Sequence, residues 1–199
     1  MHTRPPTSIS KAVARFVTQL VPGATATWVC VEPYSGSAPN DCFNNVKALV
    51  AAKGGTRVIG WTVWEWPNTY LEAEFHAVWK ADDGRLVDVT PKDGGEVRIL
   101  FVPDARRTYT GEYVDNARMA LRDDVLIHDF IAMSKHLFNV TRVGKPGVPV
   151  VLDRKVIEPV ARHQLALGEM LNRGMRDHDQ CFCGSGKKYK KCHALSREG

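Results

Sequence analysis

The sequence predicts an α+β fold in which an antiparallel sheet is packed by helices and followed by a small cysteine-rich module. Three observations support this prediction. Four consecutive segments between residues 56 and 102 are rich in β-branched and aromatic residues, as strands are, and turn signals separate them. Segments with apolar residues at helical spacing lie on both sides of these strands. Three of the five cysteines lie in the last nineteen residues.

The first part of the chain predicts a helix, a strand and a second helix. Apolar residues recur at helical spacing over residues 9–21, where Pro22-Gly23 ends the pattern. Residues 26–31 form the predicted strand. The second helix is expected between Asn40-Asp41, which can cap its start, and Gly54-Gly55. Glycine ends helices because it readily adopts the left-handed conformation found at their C-termini.

The rest of the body predicts four strands and then two long helices. The strands are expected over residues 56–64, 71–80, 85–90 and 97–102, and the helices over residues 115–138 and 150–174. Asp82-Asp83-Gly84 is a turn signal that predicts a hairpin between the second and third of these strands. Pro159 perturbs the last helix near its start because proline lacks the backbone N–H of a helical residue. A Gly- and Pro-containing loop over residues 141–149 joins the two helices.

The length of 199 residues accommodates one domain of about 150 residues and an appendage. We therefore predict an α+β domain over residues 1–175, which includes the two long C-terminal helices, and a small module over residues 176–199. No apolar run approaches the roughly 18 residues of a membrane-spanning helix, and the N-terminus lacks the apolar segment of a secretory signal. These features predict a cytoplasmic protein, in which a cysteine cluster indicates a metal site or catalysis.

The net charge of +5 is concentrated near the C-terminus. Residues 142–199 carry twelve Lys and Arg against six Asp and Glu, whereas residues 1–141 carry fifteen against sixteen. The basic tail could face an acidic protein, a ribosome or nucleic acid, or it could be an ordinary solvated surface. Tyr189 is the only aromatic residue among the lysines, so the tail lacks the interleaved rings of a base-stacking surface.

Four residues within thirteen positions have the composition of a zinc site: Cys181, Cys183, Cys192 and His193. Thiolate and imidazole suit Zn²⁺ better than Mg²⁺ or Ca²⁺, and a structural zinc ion takes four such ligands. Gly184 and Gly186 permit the chain reversal that brings the two halves of the set together. A segment this short has almost no apolar core, so the metal would supply its folding free energy. We predict one structural Zn²⁺; the alternative is a reactive or disulfide-forming cysteine cluster in a frayed tail.

The segment from Cys181 to His193 reads Cys-Phe-Cys-Gly-Ser-Gly-Lys-Lys-Tyr-Lys-Lys-Cys-His. It resembles the SEC-C motif, the zinc knuckle at the C-terminus of the SecA preprotein translocase and of many otherwise unrelated bacterial proteins. The motif pattern C-x-C-G-S-G-x-K-Y-K-x-C is followed here by a histidine, a permitted alternative to cysteine as the fourth ligand. In SecA the module is a docking element. The resemblance therefore implies a protein partner rather than catalysis by the knuckle.

Cys42, His76 and Asp88 form a second candidate site. Cys42 opens the second predicted helix, where the helix dipole and free N–H groups favour a thiolate and can hold an oxyanion. His76 and Asp88 lie on consecutive predicted strands. If their hairpin closes with residues 81–83 as its loop, His76 stands directly opposite Asp88. The carboxylate would then fix the tautomer of His76 and support it as a base toward Cys42.

The order and flanking residues of these three positions resemble the transglutaminase-like cysteine superfamily, whose core is shared with papain-like peptidases. The resemblance covers about residues 40–91. It rests on Cys42-Phe-Asn-Asn-Val at the helix start, His76-Ala-Val-Trp on one strand and Asp88-Val-Thr-Pro on the next. By this likeness Cys42 would be the nucleophile, His76 the general base and Asp88 the acid that orients it.

Each of these residues also has a purely structural interpretation. Cys42 could be a buried small apolar residue, His76 a strand histidine bonded to Glu72 or Glu74, and Asp88 part of a turn. The first functional hypothesis is a thiol enzyme that acts on peptide or amide bonds, as a peptidase, a deamidase or an acyltransferase. The alternative is a non-catalytic adaptor that binds a protein partner through the knuckle and the basic C-terminal helix. Nucleic-acid or ribosome binding is a third hypothesis.

Overall fold

The structure is a computed structural model that describes residues 3–144 and 148–194. The chain divides into two compact units. We call the first the sheet unit; it comprises residues 3–65 and 71–110. The second, the helical unit, comprises residues 66–70 and the described residues from 111 onward.

The sheet unit contains two helices and most of five strands. In chain order its elements are α1 (Lys11–Leu20), β1 (Thr27–Val31), α2 (Cys42–Lys53), β2 (Thr56–Trp66), β3 (Tyr70–Lys80), β4 (Leu86–Asp88) and β5 (Arg98–Pro103). The strands are ordered β2-β5-β1-β4-β3, and a further pairing of β2 with β3 closes them into a small barrel. The mixed α+β class that the sequence predicts is therefore confirmed.

The prediction of an antiparallel sheet is wrong for one pair of strands. β5 pairs antiparallel with both β1 and β2, and β3 pairs antiparallel with β4. β1 and β4 instead run parallel, with Cys30 opposite Val87 and Val31 opposite Asp88. Tight turns join antiparallel neighbours, whereas α2, β2 and β3 all lie between β1 and β4 in the chain. Local turn signals cannot predict the direction in which such a long connection returns.

The hairpin of β3 and β4 has a different register from the predicted one. Trp79 pairs with Val87, so the prediction that His76 stands directly opposite Asp88 is wrong by two residues. The turn lies later than predicted because Gly84 takes its left-handed position, with φ of 87°. Hairpin loops of three residues commonly end on such a glycine. An even shift preserves the alternation of side chains, so the two residues remain on one face of the hairpin.

Helix α2 packs on the sheet through an apolar cluster that includes its first residue. The members of this cluster are Cys42, Val46, Leu49, Ala77, Val87 and Val89. All six are more than nine-tenths buried. Burial of an aliphatic side chain of this size contributes on the order of 1.5–3 kcal/mol. This packing fixes the N-terminus of α2 beside β3 and the end of β4.

The helical unit contains β6 (Ala117–Ala120), α3 (Val125–Thr141), α4 (Arg154–Asn172) and a single 3₁₀ turn (Tyr189–Lys191). The predicted helix over residues 115–138 is wrong at its start, because part of that segment is the strand β6. Asp124 caps α3, since its carboxylate accepts the N–H of Leu126 at 3.0 Å. The apolar pattern extends upstream of this cap, which is why the sequence places the start too early.

The second long helix begins later than residue 150, the predicted start. Asp153 caps α4 by accepting the N–H of Lys155 at 2.9 Å, and Pro159 is accommodated inside the helix. Residues 145–147 of the predicted connecting loop lie outside the described residues. No helix among residues 3–144 and 148–194 is both long enough and apolar enough to cross a membrane.

α3, α4 and the C-terminal segment share one apolar core. Its most buried members are Leu126, Ile127, Phe130, Leu167 and Tyr189. Cys181, at the start of the knuckle, belongs to the same core. The domain boundary between residues 175 and 176 stays a prediction, because a shared core does not decide whether the last segment folds alone.

Candidate functional site

The C-terminal knuckle is a compact turn structure held by its own backbone. The N–H of Cys181 donates to the carbonyl of Lys187 at 2.8 Å, which closes the loop between them. Gly184 and Gly186 both adopt positive φ, at 75° and 72°. A side chain would be strained at these positions. The chain therefore reverses at the Gly-Ser-Gly sequence, as the sequence predicts, and returns towards the start of the loop.

The reversal brings four potential ligand atoms together, one each from Cys181, Cys183, Cys192 and His193. All four atoms lie within 4.8 Å of one another. The Cys181 sulfur lies 3.2 Å from His193 Nδ1, and the sulfurs of Cys183 and Cys192 are 3.5 Å apart. A tetrahedral zinc ion with 2.3 Å bonds would space its sulfur ligands about 3.8 Å apart. The cluster is thus of the right size and composition to hold a metal ion.

The surroundings of this cluster favour a charged thiolate at Cys183. Hydrogen bonds from the side chain and backbone of Ser185 lower the pKa of the Cys183 thiol to about 6. Metal binding requires thiolates, so this polar contact suits a ligand. The Ser185 hydroxyl also lies 3.2 Å from the sulfur of Cys192. Burial, by contrast, raises the pKa of the Cys181 thiol.

Tyr189 anchors the knuckle within the helical unit. Its ring is completely buried, and its hydroxyl donates to the carboxylate of Asp129 on α3 at 2.7 Å. Burial and this carboxylate together raise the pKa of Tyr189, so the hydroxyl stays protonated and keeps donating. The Phe182 ring lies 5.1 Å from the His193 ring. The predicted ligands are therefore carried by a segment with a fixed position on α3.

The second candidate site is built around the first residue of α2, Cys42. The side chain of the preceding residue, Asp41, makes no capping hydrogen bond to the helix. It accepts instead from the side-chain amide of Asn44 at 2.8 Å. The N–H groups of a first helical turn have no partner within the helix. Here Asp41 does not cap them, so they can receive a negatively charged oxygen beside the Cys42 sulfur.

His76 and Asp88 lie in direct contact. Nε2 of His76 is 3.0 Å from Oδ2 of Asp88, and the two side chains are 3% and 0% exposed. The other oxygen of Asp88 accepts the N–H of Thr90 at 3.0 Å. The structure therefore brings this predicted pair together, although the register of the hairpin differs. The diagonal position on the same face is close enough for a histidine side chain to bridge.

Cys42 interacts electrostatically with the same histidine. Burial by itself would lower the pKa of His76, but the electrostatic interaction with Cys42, the charge of Asp88 and the Asp88 hydrogen bond outweigh it. Together they raise the pKa of His76 from 6.5 to about 10. The Asp88 contact occupies Nε2 of this ring. All three predicted residues thus meet in one place.

Lys92 is a fourth charged member of this group that the sequence reasoning missed. Its ammonium nitrogen lies 2.7 Å from Oδ2 of Asp88 and 3.4 Å from Nε2 of His76. Burial would raise the pKa of Asp88, but His76 and then Lys92 hold it below its usual range. Lys92 stands beyond Pro91 in a loop, where a lysine is ordinarily solvated, so the sequence carries no signal for this contact.

Asn45 is a second residue that sequence reasoning missed. Its side-chain amide donates to the carbonyl of Ala38 at 2.8 Å and to the hydroxyl of Thr90 at 3.1 Å. Its oxygen accepts the N–H of Ala38 at 3.0 Å. Asn45 thereby links α2 to the loop before Cys42 and to the chain just after Asp88. A polar residue one turn into a helix usually faces solvent, so its burial was not predictable.

Comparison with known proteins finds a similarity at the C-terminus. Residues 179–195 match the family model of the SEC-C motif. No curated protein and no solved structure matches the chain. The likeness of residues 40–91 to the transglutaminase-like superfamily therefore stays a prediction. The matched segment is the one that carries the Cys/His cluster, and it is a SEC-C motif.

Proposed function

We propose that this protein is a thiol enzyme that cleaves or exchanges a peptide or amide bond, and that its C-terminal knuckle holds one structural Zn²⁺. The observation that carries the proposal is the position of His76 between two partners. Asp88 contacts its Nε2 at 3.0 Å, and Cys42 lies close enough to the same ring to interact with it electrostatically. A nucleophile bonded to a base, with the base oriented by a third group, is the arrangement that thiol catalysis needs.

The first chemical step uses Cys42 as the nucleophile. His76 holds the thiol proton, so the sulfur is a thiolate that attacks the carbonyl carbon of the substrate amide. The electron pair of the carbonyl moves onto its oxygen, which the first N–H groups of α2 receive. As the C–N bond breaks, His76 gives its proton to the amine, which leaves. A thioester between the substrate acyl group and Cys42 remains.

The second step regenerates the thiolate. His76 accepts a proton from water while the water oxygen attacks the thioester carbonyl. The C–S bond then breaks, a carboxylic acid leaves, and the proton stays on His76 beside the restored Cys42 thiolate. An amine in place of water would give transfer instead of hydrolysis, and a side-chain amide as substrate would give deamidation. Throughout both steps Asp88 keeps the ring of His76 in place and stabilises its positive charge.

The proposed zinc ion has a structural role. Cys181, Cys183, Cys192 and His193 together supply four ligands, which fill a tetrahedron and leave no open position for a substrate. Three thiolates and an imidazole favour Zn²⁺ over the oxygen-seeking cations. The ion would hold the knuckle in shape, because outside Cys181 and Tyr189 the segment has little apolar area of its own.

We further propose that the knuckle recruits a protein partner or a protein substrate. Its four lysines, Lys187, Lys188, Lys190 and Lys191, are exposed, and Phe182 is 42% exposed among them. Cations around an apolar ring suit an acidic protein surface. The same feature favours the second candidate function, a non-catalytic adaptor that works through this surface alone.

Thiol alkylation of His76 variants separates the two functions. In the enzyme, a His76→Gln substitution removes the base, so alkylation of Cys42 by iodoacetamide at pH 6.5 slows at least about tenfold. Alkylation of the exposed thiol Cys30 stays unchanged and reports that the fold is intact. If His76→Gln leaves the alkylation rate of Cys42 unchanged, the histidine does not activate the thiol. That result would favour the non-catalytic adaptor over the enzyme.

A further inference from the structure

An arginine–aromatic surface lies beside the proposed thiol site in the sheet unit. We define it by the rings of Phe43, Phe75 and Tyr109 together with the guanidinium groups of Arg57 and Arg107. The rings of Phe43 and Tyr109 are stacked, with centroids 3.7 Å apart and an angle of 16° between their planes. Phe75 lies 5.4 Å from Phe43. The three rings therefore form one continuous cluster, in which Phe43 and Tyr109 are partly exposed and Phe75 is buried.

This surface begins at the residue that follows the proposed nucleophile. Phe43 directly follows Cys42, and its ring lies 5.4 Å from that of Phe75. Successive Cα atoms are 3.8 Å apart, so the Phe43 ring begins one residue from the thiol. A substrate whose amide reached Cys42 would place its neighbouring side chains within reach of this surface.

The two arginines carry charge that no other group in the described part of the chain neutralises. The guanidinium of Arg57 lies 6.0 Å from the centre of the Phe43 ring, and that of Arg107 lies 5.1 Å from the centre of the Phe75 ring. Both side chains are exposed. Within residues 3–144 and 148–194 neither one has a carboxylate partner.

The neighbouring residue Arg106, in the same loop, has hydrogen-bond partners for its guanidinium within the protein. Its guanidinium binds both oxygens of Asp104 and the carbonyl of Leu20 at 2.8 to 3.0 Å. Arg107 has none of these contacts, and its guanidinium lies over Phe75 and Trp61 instead. Aromatic faces orient a guanidinium without using its N–H donors. Those donors remain free for a ligand.

We propose that the arginine–aromatic surface selects peptide substrates that carry an acidic side chain next to the amide attacked by Cys42. The inference rests on the proposed thiol chemistry and names its substrate class. An exposed guanidinium binds a carboxylate through two parallel N–H···O bonds. The stacking of Tyr109 on Phe43 covers one face of that ring, which disfavours a nucleobase as the alternative occupant.

Two electrophilic peptides of equal size test this inference: chloroacetyl-Gly-Glu-amide and chloroacetyl-Gly-Gln-amide. Each alkylates thiols, and only the first carries a negative charge. The rate constants are measured at Cys42 and at Cys30 in the same zinc-loaded protein, since cleavage before Asp41 separates the two cysteines for mass spectrometry. The measurement is repeated in a test variant, Arg57→Gln/Arg107→Gln, and in a control variant, Arg98→Gln. Both remove charge from exposed arginines that lie over aromatic rings.

We expect the acidic peptide to alkylate Cys42 about twofold to thirtyfold faster than the neutral one, the range for two exposed charge pairs. The Arg57→Gln/Arg107→Gln variant loses this preference and leaves Cys30 unaffected. Arg57→Lys/Arg107→Lys retains part of it, because the charge remains but the paired donors do not. Arg98→Gln does the reverse: Arg98 stands opposite Cys30 on the neighbouring strand, so only the preference at Cys30 falls.

Two different results would overturn the inference, and they have different meanings. If Cys42 reacts rapidly but equally with both peptides, or keeps its preference in Arg57→Gln/Arg107→Gln, the surface does not select acidic substrates and the thiol chemistry stands. If both peptides alkylate Cys42 more slowly than Cys30, the thiol is not activated. The proposed function then fails, and the substrate class fails with it.

Discussion

His76 Nε2 lies 3.0 Å from Asp88 Oδ2, and neither side chain is more than 3% exposed. Burial of such a pair is costly unless further polar contacts satisfy it. The thiol of Cys42, the ammonium of Lys92 and the N–H of Thr90 supply those contacts. The group is therefore a buried charge network whose members depend on one another.

Replacement of Asp88 by Asn should both destabilise the protein and deactivate Cys42. The amide leaves the buried ammonium of Lys92 without its counter-ion, which costs about 3 kcal/mol of unfolding free energy. It also withdraws the charge that stabilises protonated His76. Urea denaturation measures the first effect and Cys42 alkylation the second. Asp83→Asn is the control: it breaks an exposed pair with Arg85 and should change neither.

Replacement of Lys92 by Met should raise the pKa of His76 further. The ammonium lies 3.4 Å from the imidazole and repels its positive form, while it also occupies the Asp88 oxygen that His76 uses. Without it, both effects favour the protonated ring. An NMR titration of the His76 ring measures the shift. Lys92→Arg keeps the charge and should leave the pKa near that of the original protein; an unchanged pKa in Lys92→Met contradicts the electrostatic role.

Stability should fall as the pH rises above neutrality. The pKa of His76 is raised from 6.5 to about 10, so its charged form stabilises the folded state. This contribution is fully present below pH 6.5 and is lost as the pH approaches 10. Chemical denaturation at several pH values measures it. His76→Gln lacks the titrating group, so its unfolding free energy should fall less over the same range; identical pH profiles would contradict the raised pKa.

Removal of one knuckle ligand should abolish metal binding. A Cys183→Ser substitution replaces a thiolate with a poor zinc ligand, so the zinc content should fall from one ion per chain to nearly none. Elemental analysis of the purified protein measures this. Cys30→Ser is the matched control, because Cys30 lies outside the cluster and should leave the zinc content intact. A full complement of zinc in Cys183→Ser would show that the ion is held elsewhere.

Loss of the Tyr189 hydroxyl should weaken the attachment of the knuckle without loss of the metal. Tyr189→Phe removes a buried hydrogen bond to a carboxylate, which costs about 1.5–3 kcal/mol of unfolding free energy. The zinc content should not change, since no ligand is touched. Tyr113→Phe is the control: that ring lies against Arg142, and its contact does not need the hydroxyl. Equal stabilities of the two variants would mean that the Asp129 contact contributes nothing.

The sequence predicted the parts of the fold and site that depend on local pattern. The Cys-x-Cys spacing and two glycines determine the knuckle, and these four ligand positions are close together. The helix cap and alternation likewise led to Cys42, His76 and Asp88, which meet in the structure. Their roles as catalytic residues stay a prediction until the reactivity of Cys42 is measured.

The features that the sequence did not predict depend on distant parts of the chain. The parallel pairing of β1 with β4 follows from a long connection, whose direction no turn residue specifies. Lys92 and Asn45 read as ordinary polar residues, and only the tertiary structure places them on Asp88 and Thr90. The start of α3 was misplaced because the apolar pattern continues through residues that form β6.

The most direct test of the central claim compares the alkylation rates of two cysteines in the zinc-loaded protein at neutral pH. Cys30 is exposed, whereas Cys42 is only 8% exposed. If Cys42 is a thiolate activated by His76, iodoacetamide modifies it faster than Cys30 in spite of its burial. If burial alone governs the two rates, Cys42 reacts more slowly than Cys30, and that result would contradict the proposal of a thiol enzyme.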